Sequence, residues 1–517
     1  MDIQGRVKNP RGKLLLVYPQ QGFSGVFVRH APLSLLYASA ELVKDGVPVQ
    51  ILDTRLFPET WEDELRRALS PDVVAVGISV MSGRPIASAS AISRFVRSVN
   101  PAIKIVWGGP HATFYPESIL TGEPNCDYVV SGYGSRPLKE LMDRMAKGEA
   151  PDGIPGVSYR DGGRIRQTPY EKRFEHIHHS EIPYHLIKDY SVYGQLDSKK
   201  RIFSLYSVYG CPYKCAFCSS PAHYNGFGKR WVTLPMEEVV DHIELVVRQY
   251  QADYIYFIDD DSFVDLKHVE GIIDLLAARK IQVKLGFRGA RINEMKRMSD
   301  AFIDKLIHAG TDIMHVGVES GSDRILKLIR KDSTADDIIA VNQKLARHPG
   351  IMAGYNFIIG IPTETLDDLK ATKNLMLRLV SDNPSCIIFQ PNKFRPLPGT
   401  ELFDIVSRQW GYEAPKELAE WAEMEVEGDF SAGWYTPQMK KYCDMLLIGS
   451  YFIDGKVFKV TTGEKPFYRI IRFLSRLYTP IIRFRLKHDL YGWLLEYRIY
   501  KILTKIIARH SIPVGSR

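Results

Sequence analysis

The ten residues Cys211-Pro212-Tyr213-Lys214-Cys215-Ala216-Phe217-Cys218-Ser219-Ser220 constrain this chain more than any other stretch. They place three cysteines at spacings of four and three, in a loop opened by Gly210. Three thiolates hold three irons of a cubane cluster and leave the fourth open, whereas ferredoxins normally supply four cysteines. No further cysteine follows until Cys386. An iron without a protein ligand can accept a substrate, which is what a catalytic cluster needs. The competing reading is zinc, as a Cys3His site with His223. Structural zinc sites usually pair two short knuckles, and only one is present here.

The Cys-x3-Cys-x2-Cys pattern, with Phe217 before the last cysteine, resembles the radical SAM enzymes. That resemblance implies a [4Fe-4S] cluster on Cys211, Cys215 and Cys218. It also implies that S-adenosylmethionine (SAM) chelates the open iron through its amino and carboxylate groups. The reduced cluster then cleaves the SAM C–S bond to give a 5'-deoxyadenosyl radical. Phe217 stands where the family packs an aromatic against adenine; the plainer alternative is that it shields the cluster.

A chain of 517 residues, 45% apolar and 25% charged, is an ordinary globular composition with room for about three or four domains. Six cysteines, three of them clustered, argue against a secreted disulfide framework. Met1-Asp2-Ile3-Gln4-Gly5 shows no signal-peptide pattern, and no apolar run reaches about 18 residues. A cytoplasmic, low-oxygen setting is therefore expected. The net charge of +8 is mild.

Residues 10–150 alternate strands and helices. Strand candidates are Lys13–Pro19, Val47–Asp53, Asp72–Ser79, Ile103–Trp107 and Asp127–Ser131. Helices fall between them, the first over Pro32–Asp45 with Gly46 as its stop. This pattern predicts a Rossmann-like, doubly wound parallel sheet with ligands at the strand carboxyl ends. No Gly-x-Gly-x-x-Gly follows the first strand, which disfavours a dinucleotide. Gly108-Gly109-Pro110-His111 after the fourth strand resembles the cobalamin-binding domain that precedes one class of radical SAM domains. The resemblance implies cobalamin, with Gly108, Gly109 and His111 as contacts. The Asp-x-His-x-x-Gly motif that supplies a lower-axial His in some cobalamin proteins is absent, and Tyr133-Gly134-Ser135 stands where relatives carry an acidic segment. His30 and His111 each carry the alternative reading of an ordinary loop histidine. Residues 151–199 read as a linker that holds a short β-like patch at Gly156–Tyr159 and a polar connector, with His176, His178 and His179 solvated.

Residues 200–410 hold six strand–helix units, with strands expected at Arg201–Tyr209, Tyr254–Ile258, Val283–Arg288, Met314–Val318, Gly354–Gly360 and Cys386–Pro391. They resemble the partial (β/α)6 barrel of radical SAM enzymes, whose sites form at strand carboxyl ends. SAM needs carboxylates or hydroxyls for its ammonium and ribose, and a guanidinium suits its carboxylate. By the resemblance, Asp259 and Asp260 take the ammonium, Glu319 and Ser320 the ribose, Arg291 the carboxylate, and the segment ending at Gly360 the adenine. Asp259–Asp261 also fits a solvated helix N-terminus. Arg395–Thr400 reads as barrel closure or substrate contact, and Cys126, Cys386 and Cys443 as inert buried thiols.

Residues 411–517 form a helical region. From Phe467 onward arginines and lysines interleave with aromatic and aliphatic residues, which predicts two or three basic amphipathic helices broken near Pro480. Such helices lie in membrane interfaces, with roughly 1 kcal/mol per basic residue near an anionic surface. A helical cap on the barrel is the alternative; the aromatic density argues against nucleic acid.

The fold class expected is thus α/β, a cobalamin-type sheet followed by a radical SAM barrel and a helical carboxyl-terminal region. The resemblance implies a cobalamin-dependent radical SAM methyltransferase. One SAM methylates cob(I)alamin by displacement, and another yields the radical that abstracts hydrogen from an unactivated carbon, which takes the methyl group. The same architecture is similar to the anaerobic Mg-protoporphyrin ester cyclase group, so a cyclase or rearranging enzyme without methyl transfer stays open. A cobalamin- or redox-responsive binding protein is the non-enzymatic alternative. Expected partners are a small hydrophobic substrate, a flavodoxin- or ferredoxin-type electron donor and a peripheral membrane contact.

Overall fold

The computed structural model describes residues 11–21, 30–193, 201–424, 433–453, 455–456, 466–492 and 496–498. Two seven-stranded sheets organise them. The first contains β1 (Lys13–Tyr18), β2 (Val49–Asp53), β3 (Val73–Ser79), β4 (Lys104–Gly108), β5 (Tyr128–Val130), β6 (Val157–Asp161) and β7 (Arg164–Gln167), in the order 2-1-3-4-5-6-7. β1 to β5 are parallel. Leu14, Leu15, Leu16 and Val17 are all buried. A parallel strand covered by helices on both faces needs such a continuous apolar run.

The sheet extends past residue 150. β6 and β7 add antiparallel to β5 as a hairpin closed by Gly162-Gly163, both at positive φ (54° and 84°). That two-residue turn requires left-handed backbone, which glycine adopts freely. In the following segment His176 and His178 are exposed as expected, but the apolar residues between and after them are not solvated linker. Ile177, Ile182, Tyr184, Ile187, Tyr190 and Tyr193 are buried in the barrel core. The Tyr184 hydroxyl lies 2.7 Å from His242 Nε2, and His176 Nε2 lies 2.7 Å from Glu238 Oε1, both on the helix Met236–Tyr250. Short single turns carry these apolar residues at irregular spacings, so no helix or strand period exposes them in the sequence.

The second sheet holds β8 (Ile202–Leu205), β11 (Tyr254–Phe257), β12 (Lys284–Arg291), β13 (Thr311–Glu319), β14 (Met352–Ile359) and β15 (Cys386–Ile388), all parallel and in that order, with β16 (Asn392–Lys393) beside β14. The single strand expected over Arg201–Tyr209 is broken at Tyr206-Ser207. Beyond the break, β9 (Val208–Gly210) leaves the sheet and pairs antiparallel with β10 (Trp231–Thr233). The cysteine loop is therefore the connection of a two-stranded ribbon set over the barrel mouth.

The carboxyl-terminal region packs on both units. Leu418 and Trp421 of the helix Leu418–Glu423 are buried in the core of the first sheet. The helices Pro437–Phe452 and Pro466–Lys487 cover the barrel side. The expected break near Pro480 is absent: Pro466–Lys487 is one 22-residue helix running through it. Pro480 lies on the exposed side, so one main-chain hydrogen bond is lost where water replaces it and the helix does not end. No helix among the described residues is long and apolar enough to cross a membrane.

Lys393 Nζ on β16 meets Asp444 Oδ1 at 2.8 Å, with side chains only 4% and 9% exposed. Lys393→Met leaves a buried carboxylate without its cation and is expected to cost about 3–5 kcal/mol in denaturant unfolding. Adding Asp444→Leu should restore most of that loss.

Candidate active site

Gly210 ends β9 at φ 77°, and a Cβ there would lie 2.1 Å from the Arg230 carbonyl oxygen. Only glycine allows the ribbon to close so tightly at the start of the cysteine loop. The loop is pinned again at its middle: Ala216 N donates to Ile329 O at 3.1 Å, and Leu402 N donates to Ala216 O at 3.0 Å. Cys218 N donates to Cys215 O at 3.1 Å. Cys211, Cys215 and Cys218 are free thiols and all partly accessible. Cys126, Cys386 and Cys443 are buried elsewhere, in the first sheet, β15 and the helix Pro437–Phe452. The described cysteines thus offer three ligands in one loop, and this donor set suits a cluster with one open iron.

The break between β8 and β9 is held by Asp259. Its carboxylate accepts from Ser207 N (2.8 Å), Ser207 Oγ (2.6 Å), Val208 N (3.2 Å) and Ser262 Oγ (2.9 Å). Asp259 is 1% exposed, so it supports the loop from behind and presents no surface to a ligand. Of the two aspartates expected at the ammonium, Asp260 is the exposed one. Its Oδ2 accepts from Ser220 Oγ (3.2 Å) and Tyr224 OH (3.1 Å), just beyond Cys218.

Arg291 is likewise placed differently from the expectation. Its Nη1 lies 2.8 Å from Cys215 Sγ and its Nη2 donates to Lys331 O at 3.0 Å. The guanidinium also stacks 3.9 Å from the Tyr213 ring centroid. The Arg291 guanidinium thus sits directly against the sulfur of Cys215. Burial pushes the Cys211 thiol up to about 12 and raises Cys218. A bound metal ion reverses that balance by its own charge.

Three residues around this arginine carry no motif. The Tyr213 hydroxyl donates to the fully buried Glu294. Asp261, also buried, is raised by burial and by Glu294. Lys331 Nζ donates to Glu319 Oε1 at 2.9 Å, with side chains 6% and 10% exposed. Glu319 holds φ 68°, and Arg330 and Asp332 on either side of Lys331 hold 58° and 53°. Left-handed backbone at non-glycine residues is costly and marks a geometry that the surroundings impose. A Cβ at Gly317 would sit 2.3 Å from Glu319 Oε1, so glycine there leaves room for the pair. Glu319 ends β13 near the barrel mouth. Ser320 is fully buried, with its hydroxyl 3.2 Å from Thr372 Oγ1 and accepting from Ser322 N at 3.1 Å, so it shapes the turn and offers no surface.

At the end of β14, Gly360 is covered. Trp434 Nε1 donates to its carbonyl at 2.9 Å, and a Cβ at Gly360 would lie 1.5 Å from Tyr435 OH. The carboxyl-terminal region therefore occupies the space directly over this glycine. Phe217 packs partly buried against the barrel core.

The carboxyl ends of the first sheet face this loop. Phe114, just after Gly108-Gly109-Pro110-His111, stacks edge-on to His223 at 5.6 Å. Tyr133 is partly buried, and that burial, with Tyr206, Tyr209 and Asp260 nearby, raises its hydroxyl. His30 bridges the two sheets: its Nδ1 lies 3.0 Å from Ser204 Oγ and its ring stacks on Tyr256 at 5.3 Å. Burial, with Arg55 and Arg288, lowers it to about 4, so it is neutral. Gly108 and Gly109 are partly accessible at this edge. Gly109 has φ 94°, and a Cβ there would lie 2.9 Å from Val80 N. Small residues and bare backbone along the edge fit a broad, flat ligand. His111 does not line it. Its ring is 0% exposed, 2.9 Å from Ser82 Oγ through Nδ1 and enclosed by Tyr115 and Trp421. The ring is therefore packed inside this unit, and burial lowers it to about 4, which keeps it neutral.

The sequence matches the Radical SAM superfamily over residues 205–376 and the B12 binding domain over residues 26–142. It is 30% identical over 379 residues to an uncharacterised methyltransferase of Pyrococcus horikoshii, covering 72% of this chain and 78% of that protein. It is 23% identical over 394 residues to the anaerobic magnesium-protoporphyrin IX monomethyl ester cyclase of Rubrivivax gelatinosus, covering 74% and 69%. Among solved structures, it resembles the cobalamin-dependent S-adenosylmethionine radical enzyme OxsB with aqua-cobalamin and SAM bound. The TM-score is 0.68 at 17% identity, covering 97% of this chain and 75% of that one.

Asp259 keeps its proton up to about pH 6, against 3.8 for an ordinary aspartate, because burial outweighs its hydrogen bonds. Between those values the fold binds more protons than the unfolded chain, so its contribution to stability falls as pH rises. Asp259→Asn is expected to cost about 1–3 kcal/mol by mispairing these donors. In denaturant unfolding, the wild-type advantage over Asp259→Asn should grow as pH falls from about 6 to about 4. A gap that stays constant would remove Asp259 from this role.

Proposed function

Since the chain belongs to the radical SAM superfamily, in the group carrying a B12 binding domain, we propose that it moves a methyl group from SAM to an unactivated carbon of a hydrophobic small molecule. It is an enzyme whose cofactors are a [4Fe-4S] cluster, SAM and cobalamin. When bound, these supply a 5'-deoxyadenosyl radical and a methyl carrier.

The observation that carries the reading is the face-to-face placement of two strand ends. Three accessible thiols open one side of the crevice, and the Gly108-Gly109 edge opens the other. In this reading Cys211, Cys215 and Cys218 hold the cluster, and Arg291 stabilises the charge on Cys215. Asp260 is the exposed carboxylate for the SAM ammonium, and Glu319, nearly buried and oriented by Lys331 at the end of β13, is the carboxylate for the ribose. Phe217 lies in the same loop for adenine. Trp434 and Tyr435, over Gly360, narrow the mouth and help exclude water from the radical. The cluster of aromatic rings beside the loop, with Tyr206 5.5 Å from Tyr209, supports a hydrophobic substrate. A small electron donor of the flavodoxin or ferredoxin type supplies the reducing equivalent.

The test is anaerobic reconstitution with iron, sulfide and cobalamin, followed by mass analysis of SAM carrying a labelled methyl. Wild type should yield both 5'-deoxyadenosine and S-adenosylhomocysteine, with label in a hydrophobic product from an extract. Cys215→Ala should lose bound iron and lower 5'-deoxyadenosine at least about a hundredfold, equivalent to about 2.7 kcal/mol. Retained 5'-deoxyadenosine without S-adenosylhomocysteine or labelled product would point instead to the cyclising alternative.

A further inference from the structure

We propose that the helix Pro466–Lys487 seats this enzyme on an anionic lipid surface, lying along it and not through it. One face of the helix is spent inside the protein: Ser475, Ile482 and Leu486 are 1%, 2% and 0% exposed and pack towards the helix Pro437–Phe452. The opposite face is apolar and open. Phe473, Leu474, Leu477, Ile481 and Phe484 are exposed, Phe473 by 62% and Phe484 by 59%. At about 100° per residue these five fall within an arc of roughly 100°, and the buried three lie across the axis from them. Elsewhere among the described residues the exposed large apolar side chains are Val74, Met81, Val99 and Leu490, which form no such run. A contiguous exposed apolar stripe on a folded protein marks an interaction surface.

The charges select the partner. Arg469, Arg476, Arg483 and Lys487 are exposed and, by the same helical spacing, fall along one edge of the stripe. The helix contains no Asp or Glu. Cations beside an apolar strip match phosphate headgroups beside acyl chains, the arrangement of helices that lie in a membrane interface. A duplex nucleic acid offers nothing apolar for the five side chains at the centre of this face. The charges and Pro480 disfavour a spanning orientation. The surface is separate from the cysteine loop, so the inference does not depend on the methyl-transfer reading.

The experiment uses the full reconstituted chain with sedimenting vesicles of phosphatidylcholine alone or with roughly 30% phosphatidylglycerol. Binding to the anionic vesicles should be at least about tenfold tighter and weaken with salt. The double variant Leu477→Glu with Phe484→Glu should lose at least tenfold in that binding, with unchanged thermal unfolding and unchanged 5'-deoxyadenosine release in detergent-free buffer. Arg476→Glu with Lys487→Glu should abolish the preference for anionic lipid. The inference is overturned by equal binding to both vesicles, by no binding, or by a double variant that binds as wild type does. A wild-type dimer that the double variant converts to monomer, without vesicle binding, would assign the stripe to a second copy of the chain.

Discussion

The active site rests on one buried carboxylate. Four donors converge on Asp259 where β8 would otherwise continue straight into β9. An aspartate taken out of water needs such compensation, and here every donor belongs to the corner being turned or to the start of the next loop. The chain is therefore directed out of the barrel and into the short ribbon that carries the cysteines. Ile329, after β13, and Leu402, at the start of the helix Glu401–Trp410, hold the far side of the same loop by main-chain hydrogen bonds. The loop that carries the three cysteines is thus fixed by contacts from several barrel elements.

Around that loop the charges form a sequence of pairs. Arg291 meets the sulfur of Cys215, Tyr213 links the loop to Glu294, and Lys331 holds Glu319 at the barrel mouth. The Lys331–Glu319 pair is nearly buried and the other two are partly buried, where electrostatic interactions are stronger and misplacement is costlier than in water. Strained backbone at Glu319, Arg330 and Asp332 shows that the position of this carboxylate is imposed by the fold. The network gives the loop a cationic neighbour on the side where thiolates are needed.

The carboxyl-terminal region joins both halves of the molecule. Trp421 encloses His111 under the first sheet, and Trp434 with Tyr435 covers Gly360 on the barrel. Helices that the sequence suggests as an appended tail therefore shape the crevice. The helix Pro466–Lys487, with its exposed apolar face, belongs to this same region.

The spacing of Cys211, Cys215 and Cys218 was enough to identify the chemistry, because three ligands in eight residues need only a loop to bring them together. The strand alternation was enough to identify both sheets, because parallel strands buried on two faces are apolar along their whole length. The separate fates of Asp259 and Asp260 were not legible: adjacent acids look alike until the turn at Ser207 consumes one and leaves the other exposed. Nor could spacing show that Arg291 reaches Cys215, that His111 packs against Trp421, or that Ile177, Ile182, Tyr184, Ile187, Tyr190 and Tyr193 enter the core. Those contacts join segments tens to hundreds of residues apart, and local pattern carries no information about them. Tertiary packing chose which polar groups are satisfied internally and which are left for ligands, because that choice depends on burial, and burial exists only in the folded chain.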